Sequence, residues 1–225
     1  MDIHLSYADM SIISDEALKF FKMAYNKALE EKGFLSVIIA GGRSPLVFYD
    51  KLSADSKIDF SKIIFFISDE RVTDDISELN YVSISERLFK NKKSYNFKRI
   101  LVEKEDALSL YNSEVKEFLE KYKRFDISFL GVGYDGHIAS LFRNEYESTD
   151  YVIRTNAINY KTRNRITLNY SALNSSRFTV FIVSGKEKEN TLRAVFTGKL
   201  KLPVSNITTP KYYLIDSSTV ANLFI

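Results

Sequence analysis

Short apolar runs rich in β-branched residues recur along this chain, and each breaks off abruptly into glycine or charge. Residues 35–40 run into Gly41-Gly42-Arg43-Ser44-Pro45, Ile63–Ile67 into Ser68-Asp69-Glu70-Arg71, and Ile127–Leu130 into Gly131-Val132-Gly133. A continuous apolar run without polar alternation fits a strand buried on both faces, as in a parallel sheet. Further strands are expected at 165–168, 178–183 and 212–215. Helical periodicity lies between the strands. Residues 14–31 place Ala17, Phe20, Phe21, Ala24, Ala28 and Leu29 on one face, with Ser14 or Asp15 as N-cap and Gly33 as the stop. Segments 46–52, 80–89, Ala107–Tyr122 and 186–196 also read as helices. The alternation predicts a mostly parallel sheet with helices on both faces, and ligands bind such sheets beyond the carboxyl ends of the strands.

No internal repeat or Gly/Ser-rich linker divides the chain, and only 3 prolines interrupt it, so residues 1–225 are expected to form one domain. The 45% hydrophobic content suffices for a sizeable core. The net charge of +3, from 32 basic and 29 acidic residues, is too balanced to point to nucleic acid. The basic run 90–93, with Lys98 and Arg99, reads as a solvated loop. There are no cysteines, which excludes disulfides, thiolate catalysis and Cys-ligated zinc. The N-terminus lacks a basic stretch followed by an apolar one, and no window approaches the length of a membrane span. A cytoplasmic monomer is expected. The only two histidines are His4 and His137, so imidazole chemistry here has almost no choice of residue.

Four segments could carry chemistry. In Gly41-Gly42-Arg43-Ser44-Pro45, Ser44 suits an N-cap and Pro45 a first helical position, which would aim free amides at an anion such as phosphate. An ordinary βα turn has the same spacing. In Ser68-Asp69-Glu70-Arg71, the acids are costly beside a buried strand unless paired, and Arg71 offers a planar fork for phosphate. A salt-bridged loop capping the sheet is the competing reading. Gly131-Val132-Gly133-Tyr134-Asp135-Gly136-His137 contains G-x-G-x-x-G. It lies mid-chain, and no strand ending in an acid follows at dinucleotide spacing. His137 would stand at a helix start, where the dipole keeps imidazole neutral and able to take a proton, with Asp135 orienting it or touching substrate. A hydrogen-bonded structural histidine is the alternative. The fourth segment pairs Arg163-Asn164-Arg165 with Ser184-Gly185-Lys186-Glu187-Lys188. Lys186 would begin a helix beside an anion while Lys188 points to solvent. His4 and the many Phe and Tyr residues read as packing.

Taken together, these blocks make the chain resemble the 6-phosphogluconolactonase family, a relative of the glucosamine-6-phosphate isomerase/deaminase family. Gly41 to Pro45 resembles its G-G-x-[ST]-P loop, and Asp69-Glu70-Arg71-Val72 its D-E-R-x-V segment. Residues 131–142 resemble its G-x-G-x-D-G-H-x-A-S-L-F signature. Arg165-Ile166-Thr167-Leu168 and Gly185-Lys186-Glu187-Lys188 match later blocks. The chain departs from the pattern at Leu79, where serine usually precedes the asparagine, and at Arg143, where proline usually follows S-L-F. The resemblance implies a Rossmann-like three-layer αβα fold and hydrolysis of 6-phospho-D-glucono-1,5-lactone in the pentose phosphate pathway, without a cofactor or metal. It implies catalysis by His137 with Asp135. It further implies that Gly42, Ser44, Asp69, Arg71, Gly131, Gly133, Arg165 and Lys186 bind the substrate, with Ser44, Arg71, Arg165 and Lys186 on the phosphate.

Two other functions share this pattern. Amino-sugar-phosphate deaminases carry a glutamate five residues after the histidine, where this chain has Phe142, a side chain that cannot titrate. A non-catalytic sugar-phosphate sensor would normally add a DNA-binding module, for which this chain has no residues to spare.

Overall fold

A computed structural model describes residues 3–219, with side chains from Ala8 onward. The packing role expected of the His4 side chain therefore lies outside the described residues. Ten strands and six α-helices follow in order. They are β1 (Ile3–Ala8), α1 (Met10–Lys32), β2 (Leu35–Ile39), α2 (Leu46–Ala54), β3 (Ile63–Ile67), β4 (Asp69–Arg71), α3 (Asn80–Ile84) and β5 (Asn96–Lys98). Then come α4 (Ala107–Tyr122), β6 (Ile127–Leu130), β7 (Val152–Asn156), β8 (Asn164–Leu168), α5 (Tyr170–Leu173), β9 (Thr179–Val183), α6 (Glu189–Thr197) and β10 (Lys211–Asp216). No described helix is long and apolar enough to cross a membrane.

Seven strands form a wholly parallel sheet in the order β1-β10-β9-β6-β2-β3-β5. The register sorts its two faces. Ile39, Ile67 and Phe129 lie side by side, and Phe129 packs on Phe21 of α1 and Phe48 of α2. Ile38 and Phe66 face the other way, where Phe118 of α4 meets Phe66 at 4.9 Å. Side chains of period two therefore bury against helices on both faces, which gives the three-layer architecture.

β8 does not join this sheet. It pairs antiparallel with β4 and β7 in a separate three-stranded sheet. β4, β5 and β7 are too short or too polar to read as strands. Asp69–Arg71 looks like a loop in sequence because its pairing partners lie almost a hundred positions away, beyond any local pattern.

α1 begins earlier than its periodicity implies. Asp9 caps it by accepting from the amides of Ser11 and Ile12 at 2.9 and 3.0 Å, while Ser14, expected as a cap, donates to the Met10 carbonyl within the helix. Gly33 ends the helix in the left-handed conformation, φ 81°. One buried polar knot locks the sheet centre. The Asp126 carboxylate accepts from the Ser36 amide at 2.7 Å and the Ser36 hydroxyl at 2.8 Å, and pairs with Lys32 at 2.9 Å. It joins the end of α1 to the starts of β2 and β6.

Removing this carboxylate strands a buried amide and an ammonium. Asp126→Ala is expected to lower the unfolding free energy by about 3 kcal/mol in urea titrations, with Asp126→Asn recovering part of the loss.

Candidate active site

The chain enters β2 from the sheet edge, builds outward through β3 and β5, and returns to the opposite side of β2 with β6. The loops leaving β2 and β6 therefore diverge at the topological switch point, where parallel sheets open a crevice. A cavity of about 740 Å³ occupies that place. Of the residues expected to act there, Gly42, Ser44, Asp69, Arg71, Gly131, Gly133, His137 and Arg165 line it. Asp135 stands behind His137. Lys186 is exposed and does not line the cavity; Lys188 does. A 3-10 turn over Lys186–Lys188 precedes α6, so the inward side chain falls two residues later than a helix starting at Lys186 would place it.

The strand period sorts the D-E-R block. Asp69 and Arg71 face the cavity, and Glu70 turns away into the protein. Glu70 pairs with neither arginine. Its carboxylate accepts from the backbone amides of Arg71, Asn80 and Tyr81 at 2.7 to 2.8 Å, which caps α3. Burial outweighs these amides and pushes its pKa up to about 7. Asp69 is held by the hydroxyls of Ser68 and Ser140 at 2.7 and 2.6 Å.

With both acids committed elsewhere, the arginines are left without carboxylate partners. Arg71 and Arg165 are cross-strand neighbours in the small sheet. Arg71 donates to the Glu78 carbonyl, yet the Nε of each guanidinium is buried without a partner among the described residues. Burial, helped by the charge of Arg71, pulls the Arg165 pKa down against the pull of Asp69. A guanidinium stays cationic even so. Across the cavity, Lys188 lies 3.3 Å from the Ser44 hydroxyl, which also accepts from Ser184 at 3.0 Å. Ser44 thus lines the cavity instead of serving as the expected N-cap. Pro45 takes the cap position and makes no side-chain cap bond.

His137 is not at a helix start. Residues 131–142 form successive turns, with the Gly133 amide bonded to the His137 carbonyl at 2.9 Å and Gly136 at φ 82°. The helix dipole expected to act on the imidazole is absent, and Asp135 takes its place. The Asp135 Oδ1 sits 2.5 Å from His137 Nδ1 and accepts from its backbone amide at 3.2 Å. Burial works to raise the Asp135 pKa, but the hydrogen bond and charge of His137 outweigh it and hold the carboxyl below the usual range. An ionised carboxylate can only accept, so in the neutral imidazole the proton belongs on Nδ1 and the lone pair on Nε2. A Cβ at Gly133 would stand 2.0 Å from the imidazole, so glycine is what lets the ring lie against this loop. Phe142 packs on the ring at 4.8 Å. Tyr160 and Asn80 also line the cavity. Tyr160 sits in a loop with no motif to mark it, whereas the position of Asn80 after the D-E-R block was a usable signal.

Residues 8–215 match the family described as glucosamine-6-phosphate isomerases/6-phosphogluconolactonase. The 6-phosphogluconolactonase of Thermotoga maritima is 35% identical over 187 residues, covering 80% of this chain and 83% of that protein. A probable 6-phosphogluconolactonase of Dictyostelium discoideum is 33% identical over 186 residues, covering 78% of this chain and 79% of that protein. The crystal structure of the Thermotoga maritima protein superposes with a TM-score of 0.85 at 29% identity, covering 96% of this chain and all of that one.

Glu70 has a consequence for stability. Its folded pKa lies above the ordinary 4.5, so the fold favours the protonated acid. That contribution is complete below pH 4.5 and is lost as pH rises to about 7. The stability difference between wild type and Glu70→Gln should shift against wild type by about 3 kcal/mol across that window, measured by urea unfolding at each pH. A pH-independent difference would refute this.

Proposed function

The chain belongs to the family of glucosamine-6-phosphate isomerases and 6-phosphogluconolactonases, and on that premise we propose that it hydrolyses 6-phospho-D-glucono-1,5-lactone to 6-phosphogluconate, the lactonase step of the pentose phosphate pathway. The observation that carries this reading is the Asp135–His137 pair, which leaves Nε2 unpartnered among the described residues in a cavity also lined by two arginines whose Nε atoms have no partner there.

The phosphate sits among Ser44, Arg71, Arg165 and Lys188. A dianion there gives the two buried guanidinium Nε groups the partner they lack. Anchored at C6, the lactone presents its carbonyl to His137, and this positioning supplies much of the rate. Nε2 takes a proton from water as the water oxygen attacks C1. The tetrahedral oxyanion is met by amides of the glycine loops or by a nearby cation. Collapse breaks the bond from C1 to the ring oxygen, which takes the proton back from the imidazolium. The acid product then ionises, so lactone and water give the aldonate and one proton. Asp135 holds the tautomer throughout and steadies the imidazolium.

Phe142 supports hydrolysis over isomerisation with deamination. It packs on the catalytic imidazole where a deaminase would need a titrating glutamate, and it provides no acid for ring opening or ammonia release.

His137→Ala is expected to cut kcat about a thousandfold relative to wild type. Asp135→Asn, which can donate to Nδ1 and so favours the wrong tautomer, is expected to cut it about a hundredfold with little change in KM. Near-wild-type hydrolysis by His137→Ala, or release of ammonia from glucosamine 6-phosphate by the wild type, would overturn the reading.

A further inference from the structure

The hairpin between β7 and β8 reaches over the cavity and sets one tyrosine against the imidazole. The Tyr160 hydroxyl is 3.3 Å from His137 Nδ1, the nitrogen already held by Asp135. Its ring meets the imidazole edge-on, at 86° with centroids 5.6 Å apart. Phe142 lies at 4.8 Å from the same imidazole and 5.6 Å from Tyr160, so His137 is confined by two aromatic rings. We propose that Tyr160 is a positioning residue for His137, fixing the ring and screening its Nδ1 proton so that Nε2 faces the substrate.

Three observations support the assignment. The hairpin is itself braced: the Ala157 amide donates to the Arg163 carbonyl at 2.8 Å and the Tyr160 amide to the Ala157 carbonyl at 3.0 Å. Its tip is fastened across the cavity rim, where Lys161 and Thr162 both bond the Glu78 carboxylate, and the Glu78 carbonyl accepts from Arg71. One segment thus anchors both the tyrosine beside the base and an arginine of the anion site. Finally, burial and the Asp135 charge raise the Tyr160 pKa, so the hydroxyl stays protonated and neutral beside the carboxylate. With Asp135 able only to accept, the proton between ring and carboxylate lies on Nδ1, and the tyrosine oxygen offers it a second acceptor. Two acceptors at Nδ1 restrain the ring more than one does.

The inference rests on His137 as the base, and the experiment keeps the two separable. His4→Gln leaves His137 as the only imidazole, so its ring nitrogens can be followed by 15N NMR in wild type, Tyr160→Phe and Tyr160→Ala without substrate. The Nδ1-protonated tautomer should dominate with Tyr160 present. The second tautomer should grow in Tyr160→Phe and grow further in Tyr160→Ala. In kinetics, Tyr160→Phe should lower kcat about tenfold with KM within about twofold, and Tyr160→Ala should lower it further. Unchanged tautomers with unchanged kcat would overturn the inference, as would a raised KM at constant kcat, which belongs to a substrate contact. If His137→Ala is inactive while both tyrosine variants behave as wild type, this inference alone fails. If His137→Ala stays active, the base assignment fails, and the spectra still decide whether Tyr160 orients the ring.

Discussion

The Leu35–Ile39 strand is buried on both faces and paired on both edges, with Ile63–Ile67 on one side and Ile127–Leu130 on the other. No side chain along it can reach solvent, so polar chemistry has to wait until the strand ends. There the chain divides: one neighbour is reached through a helix on one face, the other by a return from the far side of the sheet. Two glycine loops are left facing each other above the strand ends. Tyr49 and Tyr111 donate to the Ala40 and Ile67 carbonyls at 2.6 Å, satisfying the last buried carbonyls before the chain turns polar. The cavity follows from the order of the strands.

The charges in the cavity obey a simple division of labour. Glu70 is used up by backbone amides, Asp69 by serine hydroxyls and Asp135 by the imidazole. Asp69, Glu70 and Asp135 are thus committed to uncharged donors or to His137. Among the described residues, the guanidinium Nε atoms of Arg71 and Arg165 have no partner. A buried cation without a counter-ion is costly, and the fold tolerates it where a ligand supplies the missing charge. In the proposed function, anion affinity and base orientation therefore have the same origin.

Much of this was legible in the sequence, and the failures have physical causes. Ile63–Ile67, Ile127–Leu130 and Ala107–Tyr122 have the bounds read from their patterns, because burial on two faces or one leaves a clear period. β1 and the polar strands β4, β5 and β7 carry no such period: β4 is held by pairing almost a hundred positions away, β7 by its hairpin to β8 and β5 by the sheet edge, which local composition does not record. The His137 helix start was wrong because a glycine at positive φ turns the chain instead of starting a helix. The inward cation is Lys188 and not Lys186 because a tighter turn changes the residue count before α6. Tyr160 carried no signal at all: its meaning comes from the hairpin that carries it to the imidazole.

The claim that an anion clamp and a base face each other across one cavity is tested most directly by the crystallographic position of a bound phosphate. The account expects it among Ser44, Arg71, Arg165 and Lys188, touching both guanidinium groups, with room for a sugar ring between it and His137 Nε2. A phosphate seated against His137, or held outside the cavity with Arg71 and Arg165 still unpartnered, would contradict it.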